Sequence, residues 1–177
     1  MPIQRLNHAV LYVRDVAASR DFYQDVLDFR TLLVLPGQAA FLQAAGSSND
    51  HDLALFQVGA SAQPSPAGRG AVGLYHLAWE IDTLAELRRI RGRLEDRGAL
   101  VGASDHGSTK ALYATDPDSL EFEVCWLVPA DRLSPEVIEA KATIRPLDLE
   151  AEIARYGAET QGGVGVSTPA AVGSRPG

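Results

Sequence analysis

The chain has 177 residues, of which 46% are apolar and 22% are charged, and its formal net charge at pH 7 is −7. This negative charge argues against nucleic acid or an anionic membrane surface as the main partner, because both attract basic proteins. No apolar run approaches the roughly 20 residues that cross a bilayer, and one cysteine provides no disulfide framework. We therefore expect a cytoplasmic globular protein that buries about two-thirds of its unfolded surface.

The first 60 residues are typical of a β-α-β-β-β module. The stretch "LNHAVLYVRDV" alternates like a strand and ends near Asp15, and apolar residues at helical spacing follow at Phe22, Val26 and Phe29. Three further strand patterns lie between turn residues, namely "TLLVL", "AAFLQA" and "HDLALFQV". We therefore place a first module at residues 1–60.

The next stretch, "GASAQPSPAGRG", is rich in Pro, Gly and Ser and predicts a linker over residues 61–72. A second module over residues 73–130 then repeats the first. Its strand "LYHLAWEIDTL" aligns with the first strand, and Leu87, Ile90 and Leu94 form the apolar side of a helix. The strand patterns "LVGAS", "KALYATD" and "LEFEVCWLV" complete the repeat.

Several signals mark where the later helices begin and end. Thr83–Glu86 has the form of a capping box, and Gly98 suits the residue after a helix. The stretch "SPE" opens a helical extension over residues 131–156, which we expect to be interrupted near Pro146. Residues 157–177 are rich in glycine and predict a disordered tail.

His8 and His76 occupy matching positions in the two repeats. Each lies in phase with the polar side of its strand, opposite the apolar side that suits packing on a helix. Glu121 and Glu123 share the polar side of the last strand, and strand phase alone leaves the choice between them open. A lone strand histidine is usually a hydrogen-bonded core residue, but two equivalent histidines with a facing glutamate match the facial triad that holds non-haem Fe(II).

These motifs carry a resemblance to a known family. The stretches "NHAVLYVRDV", "NDHDLALF", "GLYHLAWEI", "GASDHG", "ALYATDPD" and "FEVCW" resemble the vicinal oxygen chelate superfamily, which includes glyoxalases, bleomycin resistance proteins and extradiol dioxygenases. Within it, they are most similar to the catechol 2,3-type extradiol ring-cleaving dioxygenases. The resemblance covers residues 4–129 and implies an α+β fold, in which two tandem βαβββ modules form a curved mixed sheet around a metal-binding cleft.

The resemblance also implies a metal site. The metal histidines of the family fall on His8 and His76. The family places its metal glutamate ten positions after an active-site tyrosine, and the pair Tyr113 and Glu123 has this spacing. The resemblance therefore selects Glu123 over Glu121 and implies Fe(II) as cofactor, with Mn(II) as an alternative.

Three further residues receive roles from the same resemblance. His51 falls on the acid–base histidine of the family, and His106 and Tyr113 fall where substrate is hydrogen-bonded. The implied reaction is cleavage of a catecholic ring with dioxygen, so the expected partners are a small aromatic substrate and dioxygen, and a homodimer is left open. We expect an apolar lining from Val10, Phe41, Leu53 and Leu55.

Two other functions remain open. A glyoxalase-like lyase or isomerase would use Zn(II) or Ni(II) and typically takes a carboxylate from each module, whereas "HDLALFQV" offers only Gln57 near its end. A metal-free binding or resistance protein would use the same cleft as a cup. The chain also departs from the family at "DPDSLEFEV", because the family usually has Gly and Asn after "DPD".

Overall fold

The computed structural model describes residues 2–3, 5–68 and 70–163, and its elements follow the two predicted β-α-β-β-β repeats. The chain divides into two compact units. The first unit comprises the described residues up to Gly73 together with Thr115–Leu120, and the second comprises Leu74–Ala114 and the described residues from Glu121 onward. The predicted α+β class is confirmed.

The first unit contains one four-stranded mixed sheet and one helix. Its elements are β1 (Ala9–Val13), α1 (Val16–Leu27), β2 (Arg30–Leu35), β3 (Ala39–Gln43) and β4 (Leu53–Gln57). The strand order is β1-β4-β3-β2, with β1 parallel to β4 and the other pairs antiparallel. The Asp15 side chain caps α1, and the predicted residues Phe22, Val26 and Phe29 are buried.

The second unit contains a five-stranded mixed sheet in the order β5-β8-β7-β6-β9. The elements from the second repeat onward are β5 (Leu77–Ile81), α2 (Leu84–Asp96), β6 (Leu100–Asp105), β7 (Thr109–Thr115), β8 (Glu121–Leu127), α3 (Pro135–Glu139), β9 (Arg145–Pro146) and α4 (Leu149–Tyr156). Short 3-10 turns flank α3. Each module therefore supplies its own sheet.

The ends of α2 follow from its sequence. Thr83 is the N-cap, and its hydroxyl accepts a hydrogen bond from Glu86 N, an interaction that stabilises a helix by about 1 kcal/mol. Gly98 follows the C-cap with a φ of 61°, in the left-handed region that glycine enters without strain. Leu87 and Leu94 are fully buried, as the helical spacing predicted.

The predicted strand phase agrees with the observed burial. In β1, Leu11 and Val13 are buried, whereas Val10 is 52% exposed and Tyr12 is 74% exposed. In β8, the apolar positions are buried and Glu123 lies half-buried on the other side. One face of each sheet is therefore core, and the other carries the polar side chains.

The turn that departs from the family pattern is held by Asp116. One carboxylate oxygen of Asp116 accepts hydrogen bonds from Asp118 N and Leu120 N, and the other accepts one from the Tyr23 hydroxyl. Ser119 adopts a φ of 65°, a conformation in which Gly or Asn is usual. Ser119 therefore adopts the left-handed backbone despite its side chain.

The extension after the second repeat begins as predicted. Ser134 caps α3 and Pro135 is its first residue, while the interruption at Pro146 is a short strand that pairs antiparallel with β6. The prediction of disorder from residue 157 onward is wrong for residues 157–163. In this segment Gly162 N donates a hydrogen bond to Asp82 O, and Gly163 N donates one to Leu127 O. Residues 164–177 lie outside the described part of the chain. No described helix has both the length and the apolar character needed to cross a membrane.

Candidate functional site

His76 and Glu123 lie against each other in the second unit. His76 immediately precedes β5, and Glu123 lies on the parallel neighbour β8, opposite Ala78. The distance from His76 Nε2 to Glu123 Oε2 is 3.1 Å, and the two side chains are 23% and 13% exposed. A carboxylate oxygen and an imidazole nitrogen at this distance can hydrogen-bond each other or ligate one cation. The structure therefore pairs His76 with the glutamate that the tyrosine spacing selected.

The geometry of this pair fits two ligands of one metal ion. Ligand atoms about 2.1 Å from a metal, at a right angle to each other, lie about 3 Å apart. The 3.1 Å between Nε2 and Oε2 is close to this value. Imidazole nitrogen and carboxylate oxygen are also the donors of the 2-His-1-carboxylate set. The donor types and their separation therefore fit a first-row divalent metal.

Tyr113 and His106 lie beside this pair. Tyr113 is on β7, and its ring centroid is 5.8 Å from that of His76. His106 is in the turn between β6 and β7, and its Nε2 is 3.0 Å from the Tyr113 hydroxyl. Burial, followed by the nearby Glu123 carboxylate, raises the pKa of Tyr113 from 10.0 to about 12. The Tyr113 phenol therefore keeps its proton at neutral pH.

His8 and His51 form a second cluster, in the first unit. Their ring centroids are 4.4 Å apart, and the Phe41 ring meets that of His51 edge-on at 5.3 Å. His8 Nδ1 donates to Asn7 Oδ1 at 2.8 Å, and His51 Nδ1 donates to Asp50 Oδ2 at 3.0 Å. Hydrogen bonds of this kind fix the tautomer and leave Nε2 free to accept a proton or a metal.

The positions of the two predicted metal histidines differ slightly from the prediction. The sequence placed both inside strands, but His8 immediately precedes β1 and His76 immediately precedes β5. Their equivalence is nevertheless preserved, because each stands directly before the first strand of its module. Among the residues that the structure describes, no three His, Cys, Asp or Glu side chains are grouped closely enough to hold a metal ion. The three-ligand set therefore remains a prediction.

The predicted apolar lining needs a correction. In the parallel pairing, Leu53 aligns with Ala9 and Leu55 aligns with Leu11, so both leucines point to the helix-packed side. Both are fully buried there. The register of β3 and β4 instead places Phe41 opposite Ala54, on the side of Val10. Val10 and Phe41 remain candidates for a lining, and Leu53 and Leu55 belong to the core.

Sequence reasoning missed three side chains of these clusters. Asn7 and Asp50 hold the Nδ1 atoms of His8 and His51, and each stands directly before the histidine it contacts. Tyr75 is 67% exposed, and its ring centroid lies 4.6 Å from that of His76. A polar or aromatic residue directly before each predicted site histidine was the available signal.

Comparisons with known proteins place the chain in a family. A family model described as the Glyoxalase/Bleomycin resistance protein/Dioxygenase superfamily matches residues 5–124. The chain is 33% identical over 119 residues to catechol-2,3-dioxygenase of Bacillus subtilis (strain 168), a match that covers 67% of this chain and 40% of that protein. It is also 33% identical over 112 residues to biphenyl-2,3-diol 1,2-dioxygenase 2 of Rhodococcus globerulus, a match that covers 63% of this chain and 56% of that protein. The matches thus span about half the length of these relatives.

Among solved structures, lactoylglutathione lyase from Agrobacterium tumefaciens has the same fold. The TM-score is 0.52 at 27% identity, and the match covers 71% of this chain and 95% of that one. The family model extends over both β-α-β-β-β repeats and ends within β8. The chain therefore belongs to the glyoxalase/bleomycin resistance protein/dioxygenase superfamily.

Proposed function

We propose that this protein is an Fe(II)-dependent extradiol dioxygenase that cleaves a catecholic ring with dioxygen. The observation that carries the proposal is the 3.1 Å contact of His76 with Glu123, beside the Tyr113 phenol. The relatives at 33% identity support it, because their names describe dioxygenases that act on catechol and on biphenyl-2,3-diol. The substrate of this chain would be a small aromatic diol.

The residues that would hold the metal are His8, His76 and Glu123. Each histidine stands directly before the first strand of its repeat, and Glu123 already contacts His76. Asn7 would keep the His8 tautomer that exposes Nε2. Bound Fe(II) would supply redox coupling between a catecholate and dioxygen held side by side.

The remaining groups would handle substrate protons and orientation. Tyr113 stays protonated at neutral pH, so its hydroxyl can donate a hydrogen bond to a phenolate oxygen. His106 fixes the direction of that hydroxyl through the 3.0 Å contact. His51 donates from Nδ1 to Asp50, which leaves Nε2 to take a proton from the diol and return it later.

The structure offers less support for a glyoxalase-like lyase. That reaction typically takes a carboxylate from each module, and the polar candidate at the end of β4 is Gln57. The Oε1 atom of Gln57 accepts a hydrogen bond from Val16 N at 3.2 Å, at the start of α1. Gln57 therefore serves the helix, and we retain the dioxygenase as the proposed function.

A ring-cleavage assay tests the proposal. The protein is loaded anaerobically with Fe(II), its iron content is measured, and air is admitted with a panel of catechols while dioxygen uptake and coloured products are followed. We expect uptake and a coloured ring-opened product with at least one catechol. Glu123→Gln should abolish both, whereas Glu121→Gln, which removes a carboxylate on the same side of β8, should retain them. No product from iron-loaded protein across the panel would contradict the proposal.

A further inference from the structure

Three elements of the extension that follows the second repeat contact the β6–β7 turn or the strand ends beside it, and this turn carries His106. The antiparallel pairing of β9 with β6 joins Pro146 to Ser104 and Arg145 to Asp105. The strand β9 therefore fixes the chain immediately before His106. The strand β9 lies beyond the region matched by the family model, which ends at residue 124, whereas its partner β6 lies inside that region.

The end of α3 packs against the residue after His106. A Cβ atom on Gly107 would lie 2.5 Å from Val137 O and 2.8 Å from Ala140 Cβ, and Gly107 has a φ of 72°. Both the close approach and the backbone conformation require glycine at this position. The turn and α3 are thus in direct backbone contact.

A buried ion cluster joins α4 to both sides of the same turn. Lys110 is 1% exposed, and its Nζ lies 2.5 Å from Asp105 Oδ1 and 2.9 Å from Glu152 Oε2. The same Asp105 oxygen accepts a hydrogen bond from Gly107 N at 2.8 Å. Contacts therefore run from α4 through Lys110 and Asp105 to the backbone beside His106.

We propose that Glu152 of α4 is a positioning residue, which fixes the β6–β7 turn through Lys110 and so holds the His106 ring at the Tyr113 hydroxyl. The proposal rests on the proposed function, because His106 and Tyr113 act there on the substrate. It assigns the extension a role in the reaction, although the extension lies outside the part of the chain that matches the family. Glu152 contacts Lys110 and would act on the site only through that residue.

A pair of matched variants on α4 tests the proposal. Glu152→Gln keeps the side-chain shape and removes the charge beside Lys110. Glu150→Gln makes the same change two residues away, where the carboxylate is 68% exposed and pairs with Arg88 of α2 at 3.4 Å. The chain has four histidines, so nitrogen NMR of the imidazoles in the metal-free protein follows each ring. His106→Gln identifies the His106 signal by its loss.

We expect Glu152→Gln to shift the His106 signal and Glu150→Gln to leave it in place. With iron loaded, Glu152→Gln should lower kcat/KM by roughly 10- to 100-fold, with the loss in kcat rather than in KM, as for other residues that orient an active-site group. Glu152→Asp, which keeps the charge at a shorter reach, should fall between wild type and Glu152→Gln in both measurements.

Other outcomes separate the two proposals. An unchanged His106 signal in folded Glu152→Gln would overturn the positioning role, whatever the activity. Loss of the fold in both Glu152→Gln and Glu152→Asp would also overturn it, because Glu152 would then serve general stability. If wild-type protein cleaves no catechol but the His106 signal still shifts, the proposed function fails while the contact from α4 to His106 stands.

Discussion

Replacing Lys110 with methionine should destabilise the second unit strongly. Lys110 is 1% exposed, and the carboxylates of Asp105 and Glu152 that it contacts are 17% and 13% exposed. Lys110→Met fills the same space but removes the cation between two largely buried anions. The two carboxylates then repel each other and lose their counter-ion in a region with little water.

The size of the effect follows from this burial. Breaking a buried ion pair by removing one partner costs about 3–5 kcal/mol, and the residual exposure of both carboxylates favours the lower end. For a chain of this length, about 3 kcal/mol corresponds to a fall in Tm of roughly 6–12 °C. The exposed pair Arg91–Glu95 on α2 provides the contrast, because Arg91→Met should cost less than about 0.5 kcal/mol.

Urea unfolding followed by tryptophan fluorescence measures this difference. The chain has two tryptophans, Trp79 and Trp126, and both lie in the second unit with Lys110. Removing all three charges together, in Lys110→Met with Asp105→Asn and Glu152→Gln, should restore most of the lost stability. A cost for Lys110→Met below about 1 kcal/mol, or no recovery in the triple variant, would refute the reasoning.

Three further results are expected. Glu123→Gln should weaken Fe(II) binding by at least roughly 100-fold in a chelator competition, whereas Glu121→Gln should leave it nearly unchanged; equal effects would remove Glu123 from the ligand set. Gly107→Ala should lower the free energy of unfolding in urea by at least about 2 kcal/mol, because Gly107 has a φ of 72° and its added Cβ would meet the end of α3. Gly46→Ala is the control: a Cβ there has no atom within 4 Å, so the free energy should change by less than about 0.5 kcal/mol. Tyr113 has a pKa of about 12 in the folded protein, whereas an unfolded tyrosine loses its proton near pH 10.0. The free energy of unfolding should therefore fall as the pH rises from 10.0 towards 12, and it should fall less steeply in Tyr113→Phe.

Local sequence signals predicted the features that depend on local geometry. The alternation in β1 predicted that Leu11 and Val13 are buried, and the helix spacing predicted the core side of α2. The cap at Thr83 and the left-handed Gly98 follow from residue chemistry within one turn of the helix. The repeat of these signals in both halves was sufficient to predict two β-α-β-β-β modules.

Features that depend on distant partners were not predictable in this way. The pairing of Arg145–Pro146 with β6 joins segments far apart in sequence, and two residues carry no strand periodicity. The prediction that Leu53 and Leu55 line the site is wrong because the side that each leucine faces depends on the register of β4 against β1. The sequence of β4 alone does not specify that register. The glycine-rich composition after residue 157 likewise did not predict the backbone hydrogen bond from Gly162 N to Asp82 O, because its acceptor lies far away in the sequence.

The candidate site was predictable in part. The phase of β8 left Glu121 and Glu123 open, the family resemblance selected Glu123, and the structure places that residue against His76. The position of Asp50 directly before His51 was a signal for their contact, but the contact itself also depends on the bend before β4, which the sequence pattern does not specify.

The mass of the product tests the proposed dioxygenase activity most directly. Iron-loaded protein is given a catechol that supports dioxygen uptake, and the product is examined by mass spectrometry. Extradiol cleavage adds both atoms of dioxygen, so we predict a product heavier than the substrate by one dioxygen molecule, with one dioxygen consumed for each diol. A product of unchanged mass, as an isomerase would form, or a quinone two hydrogen atoms lighter than the diol would contradict the proposed dioxygenase.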